Sequence, residues 1–263
     1  MSTVKDNSEK TWYDLPHYYD LGFREETKQE CKFLESVFAK FAKCKVKRVF
    51  EAGCGTGRLI AEMAARGYDV TGFDLNRNTL DYCNKRLTRR KLHATLVEAN
   101  MEEFSLGKKF QGAFNAINTF RHLLTEESAE SHLNCVAKHL VPGGIYVLGL
   151  HLLPIDADPL DQERWQYKSK SLKINYFLRV THSDLRKRIE HLKLTMTVHK
   201  NGKSDKVADE FDLRIYRAKQ MKALLKKIPE FELCEVYDFW YEIDEPQKFD
   251  DYLSDAVFIL RKL

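Results

Sequence analysis

No apolar run in this 263-residue chain approaches the ~20 residues needed to span a bilayer; the longest clean stretch is residues 145–150. The first ten residues are polar, with no apolar segment behind a basic start, so no secretory signal is read there. Prolines number only six, and repeats, low-complexity tracts and Pro/Gly-rich linkers are missing, which excludes fibrous and solenoid architectures. The six cysteines (Cys31, Cys44, Cys54, Cys83, Cys135 and Cys234) form no C-x-x-C pair. That excludes a compact zinc ribbon, leaves no metal site to expect, and fits reduced thiols in a cytosol. An excess of one charge is missing too. With 43 basic and 39 acidic residues, the net charge of +4 is too balanced to demand a polyanionic partner. What is present is 43% hydrophobic and 12% aromatic residues, enough for a sizeable core in one large domain or one domain with an insertion. The expectation is a cytoplasmic globular protein with neither membrane nor nucleic acid as a partner. The sequence is silent on oligomeric state.

Periodicity divides the chain into two styles. Residues 24–43 carry Phe33, Leu34, Val37, Phe38 and Phe41 at helical spacing. A short apolar run, Arg48-Val49-Phe50, then ends in a glycine cluster. Helix-like residues 59–66 follow, with Gly67 placed to cap them. Strand-like segments at 69–74, 94–98, 113–117 and 145–150 alternate with helical segments at 79–90 and 126–140. This alternation predicts an α/β domain with a mostly parallel sheet. After residue 150 the style changes. Segments 172–180, 190–200 and 206–216 alternate in the β manner, and Asn201-Gly202 between the last two is a hairpin signal. These three predict a small antiparallel sheet inserted into the α/β domain. Helix-like residues 218–227 and strand-like 231–238 and 256–261 then complete the parent sheet. The domain expectation is a cap over 1–46, a parent domain over 47–151 and 218–263, and an inserted lid over 152–217.

The segment Glu51-Ala52-Gly53-Cys54-Gly55-Thr56-Gly57 lies between a predicted strand and a predicted helix. Glycines there permit a tight turn and let a ligand lie against bare backbone. Asp74 ends the next strand, where a carboxylate can accept hydrogen bonds from both ribose hydroxyls of an adenosine ligand. The dinucleotide pattern G-x-G-x-x-G fails in both registers, because the third position falls on Arg58 or on Ile60. Glu51 would repel a pyrophosphate but complements an ammonium or a sulfonium. No Gly-Lys-Ser/Thr follows, so a P-loop is excluded. The spacing favours a cationic adenosine cofactor over NAD or FAD.

Glu-x-Gly-x-Gly-x-Gly resembles motif I of class I S-adenosylmethionine-dependent methyltransferases. Four further segments resemble the same family in order. Tyr68-Asp69-Val70-Thr71-Gly72-Phe73-Asp74 looks like the second strand and its ribose-binding acid. Val97-Glu98-Ala99-Asn100-Met101 looks like the adenine contact, with Asn100 where Asp is common. Ala116-Ile117-Asn118-Thr119-Phe120 looks like the fourth strand and the loop beside the methionine moiety, and Leu140-Val141-Pro142-Gly143-Gly144 like the turn before strand five. The resemblance implies a Rossmann-like seven-stranded sheet, its last strand antiparallel, with helices on both faces. It implies S-adenosyl-L-methionine as cofactor, held by Tyr19, Glu51, Gly53, Cys54, Gly55, Gly57, Asp74, Leu75, Asn100, Met101 and Asn118. Tyr13-Asp14-Leu15-Pro16-His17-Tyr18-Tyr19-Asp20 resembles the aromatic cap of small-molecule methyltransferases. Asn118-Thr119-Phe120-Arg121 lacks the two prolines usual in nucleic-acid amino-methyltransferases.

The implied activity is methyl transfer to a nitrogen or oxygen of a small molecule. Such a reaction is dominated by alignment, and a general base matters only where the acceptor arrives protonated. His122 and His151 follow predicted strands four and five, so both are expected at the ligand edge, and Tyr13 and Tyr19 could close over the cofactor. These make His122, His151 and Tyr13 the candidate catalytic residues. Arg121 and Arg179 are possible partners for a substrate carboxylate, whereas His191 and His199 read as surface residues. Three alternatives stand beside this reading: an RNA or protein methyltransferase of the same fold, a regulatory protein that binds the cofactor without turnover, and a dehydrogenase, which the glycine spacing disfavours.

Overall fold

In the computed structural model the described residues are 11–263; the polar first ten residues and the start of the expected cap lie outside them. A 3-10 turn, Trp12–Asp14, leads into α1 (Pro16–Phe23), where Pro16 occupies the first turn and needs no N–H partner, and then α2 (Thr27–Phe41). The strands and helices that follow are β1 (Arg48–Ala52), α3 (Arg58–Ala65), β2 (Asp69–Asp74), α4 (Arg77–Arg90), β3 (Thr95–Glu98), β4 (Phe110–Asn115), α5 (Glu126–His139) and β5 (Leu140–His151). The chain then forms β6 (Gln162–Lys168), β7 (Leu172–Asp184), β8 (Ile189–Lys200) and β9 (Lys203–Arg214) before α6 (Ala218–Lys226), β10 (Phe231–Tyr237) and β11 (Asp255–Lys262).

Seven strands make one sheet in the order β10-β11-β5-β4-β1-β2-β3. Within it β11 runs antiparallel to both of its neighbours, and the other pairings are parallel. Helices cover both faces. Val49 and Phe50 are consecutive on β1 yet enter opposite cores: Phe50 packs with α5 and α6, Val49 with α2, α3 and α4. Burial on both faces is why these strands read as near-continuous apolar runs rather than alternating ones. The expected class, a Rossmann-like α/β sheet with its last strand antiparallel, is what forms. Two boundaries shift. β4 ends at Asn115, so Ala116 and Ile117 already belong to the loop. The expected turn over 140–144 is absorbed into β5 as a bulge, with Gly143 at φ +80° and a register shift opposite residues 110–112.

The second sheet has four strands, β6-β7-β8-β9, not the expected three. The strand missed by the sequence reading, β6, is a polar edge strand in which only Trp165 and Tyr167 are even partly buried. Its neighbours alternate plainly: on β8, Leu192, Leu194, Met196 and Val198 are buried between more exposed residues. Asn201 and Gly202 join β8 to β9 with φ of 51° and 75°, the paired left-handed conformation of a type I′ hairpin. The cap packs on this sheet through Leu21, which meets Tyr176, Met196 and Val198. The chain leaves the parent sheet and returns to it at one place, where the Leu153 N–H donates to the Tyr216 carbonyl at 2.8 Å. Among the described residues no helix is long and apolar enough to cross a membrane.

Candidate active site

The carboxyl ends of β1, β2, β4 and β5 open into a chamber of about 810 Å³, roofed by the cap and by the inner face of the second sheet. One half of it is the glycine loop. Gly53 has φ +64°, and a Cβ there would meet the Thr119 Cγ2 at 2.3 Å, so no side chain fits between the two loops. Asp74 is held from both sides: Oδ2 accepts from the Gly55 N–H at 2.8 Å and Oδ1 from the Asn76 N–H at 2.8 Å. Burial raises its pKa above the usual range, and those backbone hydrogen bonds oppose the rise. Glu51 is 6% exposed, and its Oε2 has no hydrogen-bond partner among the described residues. Burial pushes its pKa well up, while Arg58 pulls it down but is itself engaged by Glu30 through a 2.8 Å Nη2–Oε2 bond. A buried carboxylate with an orphaned oxygen is costly unless a ligand supplies a donor. An ammonium at the end of an adenosine cofactor would supply it. The residues therefore fit S-adenosylmethionine: Asp74 for the ribose, bare loop backbone for the body, Glu51 for the amino group.

The cap is tied to this loop and to the second sheet at once. Asp20 of α1 accepts from the Thr56 hydroxyl at 3.1 Å and pairs with Arg86 of α4. Asp14 accepts from Asn76 and Asn78, and the Trp12 N–H donates to Asp209 of β9 at 2.9 Å. Tyr19 and Tyr13 consequently line the chamber, with ring centroids 5.5 Å apart.

The other half of the chamber is aromatic and polar. The Tyr13 hydroxyl lies 3.1 Å from His122 Nε2. Burial, assisted by the neighbouring Arg121 charge, holds the His122 pKa down at about 4, so its imidazole is uncharged at neutral pH. Trp12 stacks flat on Phe211 of β9, centroids 6.4 Å apart and 3° between planes, to form a wall. His151, at the end of β5, also lines the chamber and is bonded through Nδ1 to Asp255 Oδ1 at 2.6 Å. Arg121 does not await a substrate carboxylate: it is buried, paired with Glu190 of β8, and its Nε donates to the Arg214 carbonyl at 2.9 Å. Arg179 lines the chamber and is exposed.

Of the residues singled out from sequence, Tyr13, Tyr19, Glu51, Gly53, Cys54, Gly55, Asp74, Leu75, Met101, Asn118, His122 and His151 line this one chamber. Gly57 and Asn100 do not. Gly57 is the left-handed residue that starts α3, and a Cβ there would fall 2.0 Å from the Cys83 Sγ, so it serves helix packing. Asn100 is exposed, with its Oδ1 occupied by the Glu102 N–H at 3.0 Å; Ala99 and Met101 face the chamber instead. All six cysteines are free, and no cluster of three metal-ligating side chains occurs among the described residues. The sequence reading missed Trp12, Thr119, Phe211 and Asp255. Trp12 adjoins the aromatic cap and Thr119 stood inside a quoted segment, so both were within reach. Phe211 and Asp255 are brought in by strand pairing alone.

Comparison with known proteins agrees with this geometry. Residues 49–144 match the family described as a methyltransferase domain. Among curated proteins, the chain is 30% identical over 100 residues to a dTDP-3-amino-3,4,6-trideoxy-alpha-D-glucopyranose N,N-dimethyltransferase of Streptomyces venezuelae, a match covering 38% of this chain and 40% of that protein. It is 31% identical over 102 residues to a ubiquinone biosynthesis O-methyltransferase of Psychrobacter cryohalolentis, covering 39% and 40%. The match thus spans well under two thirds of the length of these curated relatives. Solved structures share the whole fold. An S-adenosylmethionine-dependent methyltransferase from Clostridium acetobutylicum superposes with a TM-score of 0.79 at 15% identity, covering 95% of this chain and 98% of that one. Streptomyces venezuelae DesVI superposes at 0.77 and 17% identity, covering 97% and 100%. The matched model and the shared fold thus make residues 49–144 a methyltransferase domain, and the orphaned glutamate beside its glycine loop fits S-adenosylmethionine.

Proposed function

We propose that this chain is a cytoplasmic enzyme that transfers the methyl group of S-adenosylmethionine to a nitrogen or oxygen of a small molecule. The cofactor supplies a methyl carbon already activated by a sulfonium. In this reading Glu51 binds its amino group, Asp74 its ribose hydroxyls, and Leu75, Ala99 and Met101 flank its base. Tyr13, His122 and His151 face the acceptor, residues 11–46 act as a cap, and 152–217 as a lid that shapes the acceptor space.

The observation that carries the reading is the single chamber in which the orphaned Glu51 and the Tyr13–His122 pair both stand. Holding both reactants in one enclosure supplies alignment, which is most of what this chemistry needs. A small acceptor is favoured over RNA because the chamber wall also carries Asp158, Asp161 and Glu163, which repel phosphates. The names of the curated relatives point the same way: one acts on an amino sugar nitrogen and one is an O-methyltransferase of ubiquinone biosynthesis.

Calorimetric titration with S-adenosylhomocysteine, with NADH as control, tests the cofactor assignment. Micromolar binding of the former alone is expected. Asp74→Ala should weaken it by about 10–100-fold, the worth of hydrogen bonds to an ionised group. Binding of NADH instead would overturn the assignment. A screen of amine, hydroxyl and carboxyl acceptors then tests turnover, and cofactor binding without methylation of any of them would mark a regulatory protein.

A further inference from the structure

The chamber holds two histidines, and their surroundings give them opposite properties. We infer that His151, held by Asp255, takes the proton from the methyl acceptor, while the Tyr13–His122 pair orients the acceptor without holding that proton. This inference rests on the methyl-transfer reading and divides the labour within it.

The placement follows from topology. His151 is the last residue of β5 and Asp255 the first of β11, and the antiparallel register sets them directly opposite each other at the ligand edge. Both line the chamber. The 2.6 Å bond joins Nδ1 to the carboxylate. An ionised carboxylate only accepts hydrogen bonds, so the ring proton of neutral His151 sits on Nδ1 and the lone pair on Nε2. Nε2 has no partner among the described residues. The backbone N–H of His151 donates to Asn118 Oδ1 at 2.8 Å, which anchors the strand end, and Phe239 packs edge-on against the ring with centroids 5.1 Å apart.

His122 is built for the other task. Its Nε2 is engaged by the Tyr13 hydroxyl, and burial beside Arg121 disfavours its charged form. An imidazolium at His151 would instead stand against a carboxylate. The same chamber is lined by the carboxylates of Asp158 and Asp161 and by the cations of Arg121 and Arg179, and the nearby Tyr241 has its pKa pushed up by burial first and by Asp255 among the smaller causes. The side chains of His151 and Asp255 are 34% and 40% exposed, so water reaches the pair.

The step is a simple proton transfer. An N–H bond of an acceptor ammonium, or the O–H bond of a hydroxyl, breaks; its electron pair stays on the acceptor atom; the proton bonds to His151 Nε2. Asp255 remains ionised as a positioning residue, and the imidazolium later gives its proton to water.

Nitrogen NMR of histidine-labelled protein loaded with S-adenosylhomocysteine reads the pair directly. The expected result is an Nδ1–H tautomer for His151, beside a His122 that stays neutral from about pH 5.5 to 8. In turnover of an acceptor found by the screen, His151→Gln should lower kcat by about 10²–10⁴-fold at pH 7. For an amine that deficit should shrink about tenfold per pH unit towards the acceptor's own pKa, because the substrate then arrives deprotonated. Asp255→Asn should give a smaller loss with an altered tautomer, and S-adenosylhomocysteine titration of each variant reports that its fold survives. An Nε2–H tautomer for His151, or a loss in His151→Gln that is the same at every pH, overturns the inference. Failure of the methyl-transfer reading shows in the wild-type protein; failure of this one shows only in the spectrum and the variants.

Discussion

The two sheets of this chain contribute to the same chamber by opposite means. The parent sheet is buried on both faces and offers the chamber only the ends of its strands, where Glu51, Asp74 and His151 stand. The second sheet buries one face and lays it over the chamber, so Leu192, Phe211 and Leu213 line it as a surface. Strand ends place single polar groups with backbone precision; a strand face supplies shape. Chemistry that must be the same in every relative suits the former, and recognition that must vary suits the latter.

The largest test of this division lies in the joint between the sheets. Arg121, after β4, pairs with Glu190 of β8, and both are buried. Arg121→Met leaves Glu190 unpaired and should cost about 3–5 kcal/mol, whereas the double replacement Arg121→Met with Glu190→Met should recover most of that. Denaturant melts check both. If the single variant matches the wild type, the sheets are not joined there.

A second test uses a histidine. His132 of α5 is fully buried between the Met101 carbonyl and the Tyr146 hydroxyl, at 2.9 and 2.8 Å, and burial lowers its pKa to about 4. The unfolded chain binds a proton near pH 6.5, so this group's stabilisation is complete above that pH and is lost as pH falls towards 4, by at most about 3 kcal/mol. His132→Gln should therefore start from a lower Tm at pH 8 but fall less steeply between pH 6.5 and 4. The smallest effect is expected at the hairpin: Gly202→Ala meets no neighbour and suffers only its positive φ, about 1 kcal/mol, read as a small Tm shift.

The same contrast explains what the sequence disclosed. Elements of the parent domain are long, capped and periodic, so β2 was legible to the residue and α5 nearly so. Asn201-Gly202 disclosed a hairpin because only that chemistry tolerates two left-handed residues in succession. The edge strand β6 was not legible, since a polar edge carries no period strong enough to separate it from loop. In the chamber, groups set by local turns were found: the glycine loop, Asp74 and the aromatic cap. Asp255 escaped because it meets His151 only through the reversal of β11, 104 residues away in the chain. Gly57 and Asn100 lie within quoted segments but do not line the chamber, because the immediate backbone turns one to packing and the other to solvent.

The Leu153–Tyr216 hydrogen bond closes the parent domain beneath the second sheet. Because the two cut ends already touch, everything between them is topologically a single loop, however many strands it contains. A segment of different length or shape can be spliced between residues 153 and 216 without asking any parent strand to move. Inheritance can then exchange that segment whole, leaving the glycine loop and the strand ends of the parent sheet untouched.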